Sequence, residues 1–179
     1  MDNNLILKAA HFAAQKHRDQ RRKDREASPY INHPLRVAVL LSDIGQVQDE
    51  EIIAAALLHD TIEDTDTKAE DIEKLFGARI LNLVQAVSDD KSLPKEERKR
   101  RQIEHATELS SDAALIKLGD KISNVIDVTD TPPDNWSFGR RREYFDWAES
   151  VVNNCPKINP ALEEYFRKVL EAGRKKLLD

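Results

Sequence analysis

The feature that most constrains this chain is a run of seven apolar residues, Ile52-Ile53-Ala54-Ala55-Ala56-Leu57-Leu58, which stops at His59-Asp60. A surface helix carries an apolar stripe, whereas a helix apolar on every face has to be enclosed by others. The rest of the chain can supply that enclosure, because apolar residues recur at helical spacing almost throughout and no convincing period-two alternation appears. Leu5, Ala9, Phe12, Ala13 and Lys16 describe a first helix ending near His17 or Arg18. After a polar loop through Ser28-Pro29, His33-Pro34 opens a second helix, closed by Gly45, with proline tolerated in its first turn. Beyond the central run, helices are predicted over 68–76, 78–87, 95–106, 113–128, 137–153 and 160–177, with a loop at 130–135. The expected fold class is all-α, a helical bundle.

Composition bounds the rest. A chain of 179 residues with 40% hydrophobic and 34% charged content suits one core, and with no repeat or linker visible the expectation is a single domain over 1–179. Net charge is −5, so no general affinity for nucleic acid is implied. The lone Cys155 excludes a disulfide framework and a cysteine-built zinc finger. No stretch has a signal-peptide layout or membrane-spanning length, so the chain reads as cytoplasmic, without a membrane partner. Oligomeric state is not readable.

The chemistry collects around the end of the central run. A carboxylate there, Asp60, is costly to bury unless it is paired or binds a cation. Taken alone, a His-Asp pair such as His59-Asp60 is more often a helix-end hydrogen bond than a ligand pair. His33, at a helix start, and Asp120, in Leu118-Gly119-Asp120-Lys121, are further donors. Two imidazoles and two carboxylates suit Mn²⁺, Fe²⁺, Mg²⁺ or Zn²⁺. Glu63 and Asp64 follow His59 and Asp60 by four residues, so they share faces with them if the helix continues. They then offer a proton acceptor and an acid, or else belong to a solvated acidic loop. Two basic clusters flank this centre. Arg18, Arg21, Arg22, Lys23 and Arg25 lead into His33, while Lys95, Arg98, Lys99, Arg100 and Arg101 lie on a later helix whose Glu96, Glu97 and Glu104 suggest a mostly solvated face.

At these residues the chain resembles the HD superfamily and, within it, the SpoT-homologue small alarmone hydrolases, animal-type. The resemblance is carried by Gln20-Arg21-Arg22-Lys23, Pro29-Tyr30-Ile31-Asn32-His33-Pro34, the stretch from Ala55 to Thr65, Phe76-Gly77, Val87-Ser88-Asp89-Asp90-Lys91, Lys117-Leu118-Gly119-Asp120-Lys121 with Asn124, and Glu143-Tyr144-Phe145-Asp146-Trp147-Ala148. It implies an HD-type bundle that removes pyrophosphate from the 3′ position of guanosine 3′,5′-bis(diphosphate), ppGpp, or its GTP-derived analogue. It implies one Mn²⁺ per chain on His33, His59, Asp60 and Asp120, with Glu63 and Asp64 as catalytic groups. Arg22 and Lys23 match positions on the guanine side, Asn124 and Tyr144 nucleotide-pocket positions, and Lys95 and Arg140 phosphate contacts. Two departures stand out. The loop Asp24-Arg25-Glu26-Ala27-Ser28 is longer than in the bifunctional bacterial enzymes, and Ile126 stands where the family commonly has arginine. A small-molecule nucleotide is thus the implied partner, with NADPH dephosphorylated at its ribose phosphate, another nucleotide phosphohydrolase activity, or non-catalytic alarmone binding as competing readings.

Overall fold

A computed structural model describes residues 3–178. It begins with α1 (Asn3–Lys16) and α2 (Asn32–Val39), the latter running on as a π-helical turn, Leu40–Ile44. Next come α3 (Glu50–Leu58), the short α4 (Thr61–Asp64), α5 (Ala69–Phe76), α6 (Ala78–Val87) and α7 (Lys95–His105). The long α8 (Ser111–Asp130), α9 (Phe138–Asn154) and α10 (Pro160–Lys175) complete it. No strand occurs among the described residues, in keeping with the all-α expectation; the only β feature there is an isolated bridge between Arg21 and Pro29.

The apolar run is α3, and every residue from Ile52 to Leu58 is 7% exposed or less. Helices α1, α2, α6 and α8 pack around it. Each large side chain enclosed in this way contributes about 1.5–3 kcal/mol relative to exposure. Asp49 caps the helix start by accepting from the Glu51 and Ile52 N–H groups at 3.0 and 3.4 Å. At the other end two side chains take the last carbonyls: His59 Nδ1 donates to Ala56 O at 2.7 Å, and Thr61 Oγ1 donates to Leu58 O at 2.7 Å. Such local side-chain bonds compete with the helical ladder. The helix therefore does not run straight through His59-Asp60. It breaks there and restarts as α4, placing Asp60 at the junction and Glu63 and Asp64 one turn beyond.

Two further details position the site. A Cβ on Gly119 would lie 3.1 Å from Val37 Cγ1 and 3.2 Å from a Leu41 methyl, so the missing side chain lets α8 approach α2 closely and brings Asp120 beside His33. The loop between α1 and α2 is drawn into a narrow hairpin by Arg22 N–H to Ser28 O (2.8 Å) and Tyr30 N–H to Gln20 O (3.1 Å). Ala27 takes the left-handed conformation (φ 48°) at its tip. That closure sets Arg22 against Tyr30.

Candidate metal centre and nucleotide groove

His33, His59 and Asp60 bring one ligand atom each within 4.8 Å of one another. Asp120 faces the same point from α8, its Oδ1 3.2 Å from His33 Nε2 and 3.9 Å from His59 Nε2. Asp60 Oδ2 is 3.1 Å from His59 Nε2 and 3.7 Å from His33 Nε2. Both histidines are almost wholly buried.

The donor set suits a divalent cation. Because a carbonyl can only accept, the short bond to Ala56 O puts a proton on His59 Nδ1. The other ring nitrogen, Nε2, is buried without a hydrogen-bond partner and looks onto two carboxylates. Burial disfavours a proton on that ring, but Asp60 and Asp120 outweigh it and push the pKa up to about 9. The pocket therefore demands positive charge between these groups, and a metal ion meets the demand with ligands of the right kind. On His33, burial wins and holds the imidazole below its usual pKa, neutral as a ligand requires. Its Nδ1 meets Ser123 Oγ at 2.9 Å, which orients the ring. Burial would raise both carboxyls, yet His59 beside Asp60 and Lys121 beside Asp120 hold them well below the ordinary range.

Groups around the ligands fix their orientation. Tyr30 donates its hydroxyl to Asp60 Oδ2 at 2.6 Å, and Asn124 Nδ2 donates to Asp120 Oδ1 at 2.6 Å. Lys121 Nζ sits 3.1 Å from Asp120 Oδ2 and lies 4.4 Å from the Trp147 ring centroid. Glu63 and Asp64 line the same cavity of about 190 Å³. Glu63 Oε2 accepts the Asp89 N–H at 2.8 Å, and burial raises its carboxyl above the usual range. Lys91 Nζ bridges the pair, 2.6 Å from Asp64 Oδ1 and 3.3 Å from Glu63 Oε1.

The cavity shares Tyr30, Asp64, Asn124, Tyr144 and Trp147 with a groove of about 910 Å³. Arg22, Lys23, Lys95 and Arg140 line that groove rather than the metal cluster. Among the described residues Lys23, Lys95, Lys99 and Arg140 form no ion pair. Partial burial, with Arg140, Lys99 and Lys23 nearby, pushes the Lys95 ammonium pKa down. Arg140 also stacks on Trp136, 4.6 Å from its ring centroid, and Trp136, Tyr144 and Trp147 form an aromatic wall. By contrast Arg100 and Arg101 on α7 pair with Glu97, and Arg100 also with Glu104. The second basic cluster thus divides into a groove face and a solvated face.

Arg22 is differently placed from Lys23. It is bound to Asp127 and Asn124 while lying over Tyr30, so it braces the wall that it also lines. Sequence reading gave no role to Tyr30, Ser123, Lys121, Lys91 or Asp127, and of the aromatic wall it singled out Tyr144 alone. Tyr30 lay within the Pro29-to-Pro34 stretch, and Asp120, Asn124 and Asp127 follow the i, i+4, i+7 spacing of one helix face.

A helical bundle whose central helix ends in His59-Asp60, facing a histidine and an aspartate from two neighbouring helices, defines an HD-type protein with a candidate divalent-metal centre. The HD domain family model matches residues 9–143, and the chain belongs to that family, among its metazoan SpoT homologues. It is 51% identical to the guanosine-3′,5′-bis(diphosphate) 3′-pyrophosphohydrolase MESH1 of Danio rerio over 96% of each chain. To the protein of the same name from Homo sapiens it is 49% identical over 93% of each. It also superposes on a solved structure described as a metazoan ortholog of SpoT that hydrolyzes ppGpp and plays a role in starvation responses, with a TM-score of 0.92 and 45% identity over 96% of both chains.

Proposed function

We propose that this protein is a Mn²⁺-dependent ppGpp 3′-pyrophosphohydrolase, converting ppGpp and water to GDP and pyrophosphate, and the GTP-derived alarmone to GTP and pyrophosphate. One observation carries the reading. The His33, His59, Asp60 and Asp120 cluster shares a cavity with Glu63 and Asp64, and that cavity adjoins a groove in which Lys23, Lys95, Lys99 and Arg140 form no ion pair among the described residues. The relatives' names point to the same reaction.

His33, His59, Asp60 and Asp120 would hold the ion. When bound, it would supply Lewis-acid polarisation of a phosphoryl oxygen and acidify water. Glu63, with a raised carboxyl pKa and a fixed orientation, suits proton acceptance from the attacking water. Asp64, held between Lys91 and Gln20, assists the departing group. Lys91 offsets the repulsion two carboxylates would otherwise exert on a polyphosphate. Lys95 and Arg140 take phosphate oxygens, Lys23 and Arg22 the guanine side, and Asn124 and Tyr144 the nucleotide at the cavity mouth. The aromatic wall offers flat faces to a base or ribose.

No described helix is long and apolar enough to cross a membrane. Cytoplasmic action by residues 1–179 as one HD hydrolase domain, without nucleic-acid or membrane partners, completes the proposal. Steady-state turnover of ppGpp, NADPH and ATP by the Mn²⁺-loaded protein tests it. The expected result is a kcat/KM for ppGpp well above the other two, with little turnover after metal removal. A higher kcat/KM for NADPH would transfer the reading to the ribose-phosphate alternative.

A further inference from the structure

Asp127 lies on α8 one turn beyond Asn124 and two beyond Asp120, on the face turned toward the metal cluster. Its Oδ2 accepts from Arg22 Nε at 3.1 Å and from Arg22 Nη2 at 2.5 Å. Its Oδ1 accepts from Arg36 Nη1, on α2 and one turn beyond His33. The Asp127 and Arg22 side chains are only 19% and 16% exposed, so the pair is held largely out of water.

Arg22, fixed in this way, reaches both carboxylates of the cluster through one intermediary each. Toward Asp120 it donates from Nη2 to Asn124 Oδ1 at 2.8 Å. An amide whose oxygen is occupied must turn its NH₂ the other way, and Asn124 Nδ2 donates to Asp120 Oδ1 at 2.6 Å. That is the oxygen facing both histidines. Toward Asp60 the guanidinium carbon lies 5.4 Å from the Tyr30 ring centroid, and the Tyr30 hydroxyl donates to Asp60 Oδ2 at 2.6 Å. That oxygen faces the same histidines. One anchored arginine thus orients an oxygen on each of the two carboxylates.

We propose that Asp127, braced by Arg36, is a positioning residue for the metal centre. It locks Arg22, which sets Asn124 against Asp120 and Tyr30 against Asp60. Asp127 does not touch substrate or metal in this role. Without it, Arg22 loses its anchor, the Asn124 amide is free to flip, and the two carboxylates lose their preset aim. Outer-shell partners of this kind characteristically change metal affinity by about 10- to 100-fold. The inference rests on the reading of Asp60 and Asp120 as ligands.

The test is Mn²⁺ titration of metal-free protein, followed by electron paramagnetic resonance of free Mn²⁺, with no nucleotide present. For Asp127→Asn we expect a Kd weakened at least about tenfold, a metal-free Tm within a few degrees of wild type, and partial recovery in Asp127→Glu. If Asp127→Asn fails to fold, Arg36→Gln removes a more exposed brace and should weaken Mn²⁺ binding about threefold. Wild-type affinity in the folded variant, whatever its turnover, overturns the role given to Asp127. Failure of the wild-type protein itself to bind Mn²⁺ overturns the metal reading instead, so the two failures are distinguishable.

Discussion

At the inner end of the site, Asp60, Glu63, Asp64 and Asp120 each have a protein partner within hydrogen-bond reach, supplied by Tyr30, Asp89, Lys91, Gln20, Asn124 and Lys121. At the outer end, Lys23, Lys95, Lys99 and Arg140 line the groove and, among the described residues, form no ion pair. The first region is over-determined by the fold, and its unmet requirement is a cation. The second is left electrostatically open, and its unmet requirement is an anion. On the proposed reading the two regions do different work: preorganised chemistry inside, where charge is screened little, and capture of a polyanion outside, where rigidity matters less.

Breaking the inner region should have the largest effect. Asp60→Asn replaces a buried anionic ligand by a neutral amide, so bound Mn²⁺ and nearly all turnover should disappear with the helical circular-dichroism spectrum intact. Full metal occupancy by elemental analysis would remove Asp60 from the ligand set. Stripping metal from the wild-type protein should lower its Tm by about 5–10 °C relative to protein at a hundredfold excess of Mn²⁺ over Kd. An unchanged Tm in the scanning calorimeter would count against a bound ion.

Next in size is the pair proposed to do chemistry beside the candidate ligands. Glu63→Gln and Asp64→Asn should each keep Mn²⁺ while kcat falls by about 10² or more. Near-normal kcat in either variant would strip that residue of its role. The outer region should respond in KM instead. Lys23→Ala or Lys95→Ala should raise KM for ppGpp about tenfold with kcat little changed, because a contact made equally in ground and transition states affects binding alone. A loss confined to kcat would put these cations in the chemistry and erase the distinction between the two regions. Smallest of all, Arg100→Ala removes a paired cation from the solvated face of the same α7, and both kinetic constants should stay put. A KM shift matching that of Lys95→Ala would mean that the groove face extends around the helix.

The core was legible because one run of residues had to be enclosed: Ile52 to Leu58 could not face water, and the flanking helices follow from their spacing. Ser111–Asp130 begins and ends two residues outside the expected range, since Ser110 caps its start and the helix continues past its last core residue, Val128. The sequence put His59-Asp60 at the end of the apolar run and left open whether the helix continues through Glu63 and Asp64. The side chains of His59 and Thr61, turning back onto Ala56 and Leu58 carbonyls, end α3 there. On the site, residue types and spacing offered His33, His59, Asp60, Asp120, Glu63, Asp64 and the basic clusters that hold Arg22, Lys23 and Lys95, while the resemblance added Asn124, Arg140 and Tyr144 and gave each residue its implied role. Neither could show that Arg22 is anchored in an ion pair while Lys23, adjacent in sequence, is in none among the described residues. That depends on Asp127, 105 positions away. The spacing of Asp120, Asn124 and Asp127 puts Asp127 on the right helix face, but its pairing with Arg22 and Arg36, and that of Lys91 with Glu63 and Asp64, emerge only in three dimensions.

The central claim is that this site cleaves the 3′ linkage of ppGpp by attack of water at phosphorus. Hydrolysis of ppGpp by the Mn²⁺-loaded protein in H₂¹⁸O, with products resolved by mass spectrometry, tests it most directly. Equimolar GDP and pyrophosphate should form, with the label in pyrophosphate and none in GDP. Stepwise release of orthophosphate, or label carried by GDP, would contradict it.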